Sequence, residues 1–188
     1  MTYYGSKELA GSFRTVRKNT IIIAEEISEQ HYGFQAVPET RTVAQMLVHI
    51  AVMPRLPEHV HFIERRTTLE GFDYFGFMGK LKAEEQVVRS KAEIVGMLRA
   101  DGDKFSQLLE GLAEDFLSQR VAYPLGMVPP SKSRFEMLMS AKEHEMHHRA
   151  QLMLVERLLG VVPHLTREMQ TRIAAVQANQ GNATGSHN

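Results

Sequence analysis

His144 and His148 stand four residues apart in the segment Glu143-His144-Glu145-Met146-His147-His148-Arg149-Ala150-Gln151, inside a stretch with helical periodicity. Residues i and i+4 lie one above the other on a helix face, so two imidazoles so spaced can hold one metal ion. His49, far upstream, supplies a third imidazole. Three neutral ring nitrogens meeting at one point would leave an ion with a free position for water or substrate.

The periodicity of each segment bears on that expectation. Met137, Ala141, His144, His148, Leu152, Val155 and Leu159 form one stripe, and Met46, His49, Ile50 and Met53 form another. All three histidines therefore fall on apolar faces. A buried polar group without a partner costs on the order of 1–3 kcal/mol, so each needs either a hydrogen-bond partner or a metal. A helical core without metal, in which each ring finds a polar neighbour, is the plainer alternative. His147 points ~100° away from the other two and reads as a flanking residue. His59, His61 and His164 read as surface histidines that can at most line an entrance, and His31 and His187 carry no functional warrant.

The same block satisfies the H-E-x-x-H pattern of zinc proteases, in which Glu145 would be the general base and Glu168 the downstream third ligand. A protease needs a cleft for an extended peptide, commonly beside an exposed strand, and the sequence shows no strand. Glu145 is the one catalytic candidate the pattern names. Arg149 and Gln151 read as residues that fix helix packing or a dimer.

Four long segments position these residues. The first runs from about Ser6 to Gln30, with Leu9, Phe13, Val16, Ile23 and Ile27 on its apolar face, and Tyr32-Gly33-Phe34 and Pro38 end it. The second opens on the capping box Thr42-Val43-Ala44-Gln45, in which hydroxyl and amide satisfy each other's free backbone N–H groups. Pro54 and Pro57 kink or end it, with Glu58 to Arg66 as a continuation. The third follows Ser90-Lys91-Ala92-Glu93 and presents Ile94, Leu98, Phe105, Leu108 and Leu112. The fourth follows Ser133-Arg134-Phe135-Glu136 and ends near Gly160, with Pro163 beyond it. Between the second and third, Gly71, Gly76 and Gly79 alternate with Phe72, Tyr74, Phe75 and Phe77. This reads as an aromatic loop that covers the bundle, lines a pocket or meets a second subunit. Thr166 to Ala178 predicts a short fifth helix, and the polar segment Gln180 to Asn188 a disordered tail. The pattern is all-α: a single four-helix-bundle domain over residues 1–179, with metal sites expected in its core.

Composition closes off several classes. The 188 residues carry 22 basic and 22 acidic side chains, intermixed, so no basic face points to nucleic acid or an anionic membrane. There is no cysteine, which removes disulfides, thiolate metal sites and cysteine nucleophiles, and leaves His, Asp or Glu to hold any metal. Met1 to Ala10 lacks the apolar core of a signal peptide, and no apolar run approaches the ~20 residues of a membrane span. A cytoplasmic protein is the expectation.

These motifs, in this order, resemble the DinB/YfiT-like family of bacterial helical metalloproteins. The resemblance spans about residues 8 to 165. It rests on Arg41-Thr42-Val43-Ala44-Gln45-Met46-Leu47-Val48-His49-Ile50, on the Ser90–Glu93 helix start, and on Glu143 to Gln151 followed by Arg157-Leu158-Leu159-Gly160-Val161-Val162-Pro163. The family pattern is a histidine closing an L-x-H-I/L stretch, then H-x-x-H-H-R-G-Q, and Ala150 stands where the family has glycine. The resemblance implies a four-helix bundle holding one divalent ion (zinc, nickel, iron or manganese) on His49, His144 and His148. It also implies frequent homodimers. Relatives include isomerases and S-transferases that use a low-molecular-weight thiol, bacillithiol or mycothiol. The expectation is a metal-dependent enzyme acting on a small molecule, a thiol S-transferase or a hydrolase. A non-catalytic metal-binding or dimeric interaction protein is the second class, with the aromatic segment as its interface.

Overall fold

The computed structural model describes residues 4–185. Helix α1 (Ser6–Glu26) is followed by a single 3₁₀ turn at Glu29–His31, then by α2 (Val43–Val52), α3 (Arg55–Glu58) and a π turn at His59–Ile63. Next come α4 (Tyr74–Glu84), α5 (Lys91–Glu110) and α6 (Glu114–Ser118). The strands β1 (Arg120–Ala122) and β2 (Ser131–Ser133) precede α7 (Arg134–Leu158) and α8 (His164–Gly185). The capping boxes read from the sequence open α2, α5 and α7: Thr42 with Gln45, Ser90 with Glu93, and Ser133 with Glu136.

The long helices make the four-helix bundle. α1 packs on α5 and α7, and α2 packs on the same two from the other side. Every predicted apolar position of the first segment is buried, from Leu9 in α1 to Ile27 just after it. Two apolar clusters result. One, around Leu9, Phe13, Phe105 and Leu138, fills the end near the N-terminus of α1. The other, around Ile23, Leu47, Ile50, Leu98 and Leu152, fills the opposite end.

Between them lies a buried charge pair. The Arg17 guanidinium of α1 grips both Glu145 oxygens of α7 at 2.9–3.1 Å, with both side chains almost fully buried. Arg17 also donates to the carbonyls of Leu98 on α5 (2.7 Å) and Ile50 on α2 (3.1 Å), so one side chain joins all four helices. Room for it comes from Gly102, where a Cβ would lie 2.7 Å from Arg17 Cγ.

Three elements differ from the sequence expectation. The glycine-rich aromatic segment is mostly helix α4, because Asp73 caps it by accepting from the Gly76 amide at 2.9 Å. That local bond offsets the poor helix propensity of Gly76 and Gly79. The connection after α6 contains a short antiparallel hairpin, with Val121 opposite Lys132, where no strand was expected. Three-residue strands are too short to show alternation. Finally, α8 is longer than Thr166–Ala178 at both ends and reaches Gly185, so most of the expected tail is helical; positions 186–188 lie outside the described residues. The second segment turns at Met53–Pro54 and then continues through α3 and the π turn, as its two prolines predict. Among the described residues, no helix is long and apolar enough to cross a membrane.

Candidate metal centre

α2 and α7 face each other across the bundle, and their apolar stripes bring the three histidines together. His49 Nε2 and His148 Nε2 each lie 3.1 Å from His144 Nε2. Their candidate ligand atoms all fall within 4.8 Å of one another. His49 and His148 are buried and His144 is half-buried.

The outer ring nitrogens fix the tautomers. His49 Nδ1 donates to Glu85 Oε1 at 2.8 Å, and His148 Nδ1 donates to Gln151 Oε1 at 2.8 Å. With the proton on Nδ1, both Nε2 atoms carry lone pairs, and both point at His144. A proton on His144 Nε2 can at best be shared between two acceptors. A cation among the three nitrogens satisfies all of them. The outer partners are of the kind that metal-bound histidines use to set ring orientation and basicity.

Electrostatics keep the rings neutral. Burial pushes all three histidines below the ordinary imidazole value. For His144, burial together with the neighbouring His148 and His49 lowers it to about 3. Arg41 adds positive potential from beside Glu85, to whose Oε2 its Nε donates at 2.7 Å. Neutral imidazole is the form that binds a metal. The donor set (three imidazole nitrogens, no thiolate and no carboxylate in direct contact) fits a borderline divalent ion with an open coordination position.

Two cavities reach the cluster. One, of about 690 Å³, is lined by His144 together with apolar side chains such as Met53, Val60, Phe72 and Met137. The other, of about 600 Å³, is lined by His148 with Arg41, Gln45, Lys82, Glu85 and Gln151. Phe72, Tyr74 and Phe75 thus border a pocket, one of the three uses the sequence left open for the aromatic segment.

The other sequence candidates are placed as follows. Glu145 faces Arg17, not the cluster, and both its oxygens are bound there. Glu168 sits on α8 near Arg172 and belongs to no close ligand group among the described residues. His147 is exposed, as expected, and meets Gln151 Nε2 at 3.4 Å. Arg149 is partly buried on α7, with its Nε unpartnered. His61 and His164 are buried instead of on the surface. The candidate-site residue that the sequence did not mark is Glu85. It follows α4, 36 positions from the histidine it orients, and no local motif marks it.

The profile of the DinB superfamily matches residues 12–152, three quarters of the sequence and all three histidines. The chain belongs to the DinB superfamily. Solved structures of similar fold agree. A DinB-like protein, YjoA, from Bacillus subtilis superposes with a TM-score of 0.60 at 20% identity, covering 81% of this chain and 92% of that one. YfiT from Bacillus subtilis, described as a probable metal-dependent hydrolase with an unusual four-helix bundle topology, gives 0.64 at 15% identity, covering 86% and 91%. A protein from Streptococcus pneumoniae gives 0.63 at 15% identity over 84% and 93%. At these identities the likeness carries the fold alone. No curated protein matches the sequence.

Proposed function

We propose that this DinB-superfamily protein is a divalent-metal-dependent enzyme acting on a small molecule, either a hydrolase or a low-molecular-weight-thiol S-transferase. One observation carries the reading: three Nε2 atoms converge, and Glu85 and Gln151 hold two of them as lone-pair donors. The description of YfiT as a probable metal-dependent hydrolase supports it. An ion there would supply a Lewis acid that lowers the pKa of bound water toward ~7, or that holds a thiolate.

The chain's own residues do the rest. His49, His144 and His148 are the ligands. Glu85 orients His49 and balances part of the positive charge. Arg41 holds Glu85 and makes the neighbourhood favourable for an anion. The two cavities of unlike polarity give an apolar reactant and a polar co-reactant separate approaches, an arrangement that suits transfer between two molecules. We assign Glu145 to bundle structure and not to catalysis, since Arg17 occupies both its oxygens. The zinc-protease reading thereby loses its base, and Glu168 gives it no third ligand.

The test is metal content of untagged protein by mass spectrometry, beside His49→Ala and His148→Ala. About one divalent ion per chain, lost in both variants, is expected for a three-ligand site. Stoichiometric metal retained in either variant would sink it. The homodimer that the resemblance implies would draw on exposed apolar side chains, Leu154 and Leu158 of α7 with Met169 and Ile173 of α8. Sedimentation velocity decides that point, and a Phe75→Ser variant tests the aromatic segment as the alternative interface.

A further inference from the structure

Of the two cavities that reach the histidine cluster, the apolar one has a direction. Half-buried His144 stands in its lining, and so do Met137 and Ala141 from the preceding turns of α7. Residues three and four apart share a helix face, so these side chains form one wall. Tyr74, Phe75 and Met127 also line the cavity, yet they are 46%, 86% and 51% exposed, which puts them at its mouth. The space of about 690 Å³ therefore leads from a rim shared by α4 and the hairpin connection to a histidine of the metal centre.

Little along that path could hold a charge. Lys132, on β2 of the hairpin, is the one formally charged side chain among the described residues lining the cavity. An ionic group brought in from water would lose hydration that apolar walls do not replace, whereas an apolar group gains by leaving water. The volume lies within the range that holds a small molecule. On the α7 wall, Met137 and His144 are long, and Ala141 between them is the shortest. The helix thus leaves its free space about one turn before His144.

We propose that this cavity binds the apolar part of the substrate, an uncharged alkyl or aryl group, and that Ala141 sets the size of the group accepted. The assignment rests on the metal-enzyme reading for the word substrate, whereas binding of the group does not need the metal.

Two measurements on the full-length, metal-loaded protein test it. The chain has no tryptophan, so naphthalene fluorescence serves for the first. 2-Isopropylnaphthalene is expected to bind roughly tenfold or more tighter than 2-naphthalenesulfonate, which keeps the rings and adds a charge. Ala141→Phe fills the space, and Met137→Lys puts a charge into the wall. Each should weaken hydrocarbon binding by roughly tenfold or more. Unchanged hydrocarbon affinity in either folded variant would overturn the proposal. Tighter binding of the sulfonate in the wild type would overturn the uncharged class and point to Lys132. Met137 is half-buried, so its variant decides should Ala141→Phe fail to fold. The second measurement is calorimetry with straight-chain hydroxamates from acetyl to octanoyl, which share a metal-binding head. Each further buried CH₂ is worth about fourfold in affinity. A rise of that slope, cut short in Ala141→Phe, is expected, and a flat series would overturn the path to His144. Acetohydroxamate that does not bind, beside a hydrocarbon that does, would mean that the metal reading has failed and the apolar site stands.

Discussion

His49 and His148 each commit one ring nitrogen to the protein and turn the other toward His144, and the two commitments are unequal. His49 donates to a buried carboxylate that Arg41 also grips, whereas His148 donates to the neutral amide of an exposed glutamine. Charge-assisted bonds are roughly twice as strong as neutral ones, so Glu85 should matter more than Gln151. Replacing Glu85 with Gln is expected to weaken metal binding about 10–100-fold, the usual consequence of losing an orienting partner, with Gln151→Ala doing less. Competition against a chromophoric chelator measures both, and equal affinities for Glu85→Gln and wild type would remove Glu85 from the centre. The histidines themselves were legible in the sequence because a helix repeats every 3.6 residues, which marks which side chains share a stripe. Glu85 was not, because its contact with His49 is made by tertiary packing of α4 on α2, and nothing within a few residues encodes it.

The Arg17–Glu145 pair acts between elements. It puts a charge from α1 against one from α7 in the middle of the bundle, with carbonyls of α2 and α5 completing the guanidinium's bonds. Removing one partner leaves the other as an unpaired buried charge. Arg17→Met or Glu145→Gln should therefore cost roughly 3–5 kcal/mol in urea unfolding, and the double variant less than the sum of the two. Glu145→Gln that still folds should keep its metal near one ion per chain. Metal loss at full stability would instead return Glu145 to the site. Gly102→Ala is expected to be destabilising for a different reason, since the methyl group would meet the Arg17 stem. The same scale explains what the sequence did and did not show. Capping boxes at Thr42, Ser90 and Ser133 are local and were readable. α4 was read as a loop because its glycines weigh against helix. Its Asp73 cap and its packing on α2 reverse that balance.

Across the whole molecule, one buried acid couples stability to pH at a distance from the metal centre. Glu156 of α7 is fully buried, and neither carboxyl oxygen has a hydrogen-bond partner. Burial, and then the Glu26 carboxylate of α1, raises its pKa to about 7, against smaller opposing effects of Arg167 and Arg157. The folded state thus holds a proton that the unfolded chain releases near 4.5. Between those values the unfolded state binds fewer protons, so stability falls as pH rises. It is fully present below about 4.5 and is lost as pH passes through about 7. The size is on the order of 3–4 kcal/mol, from the distance between about 4.5 and about 7 at ~1.4 kcal/mol per pH unit. Glu156→Gln removes the titration and leaves the shape of the site. The difference between wild-type and variant unfolding free energies, taken by urea titration from pH 5 to pH 8, should move in the variant's favour by most of that amount, about 2–3 kcal/mol. The histidines titrate in both proteins and cancel in the difference. Parallel curves would mean that Glu156 finds a proton donor or a counter-charge in solution. In that case, the contact between α1, α7 and α8 carries no pH dependence of its own.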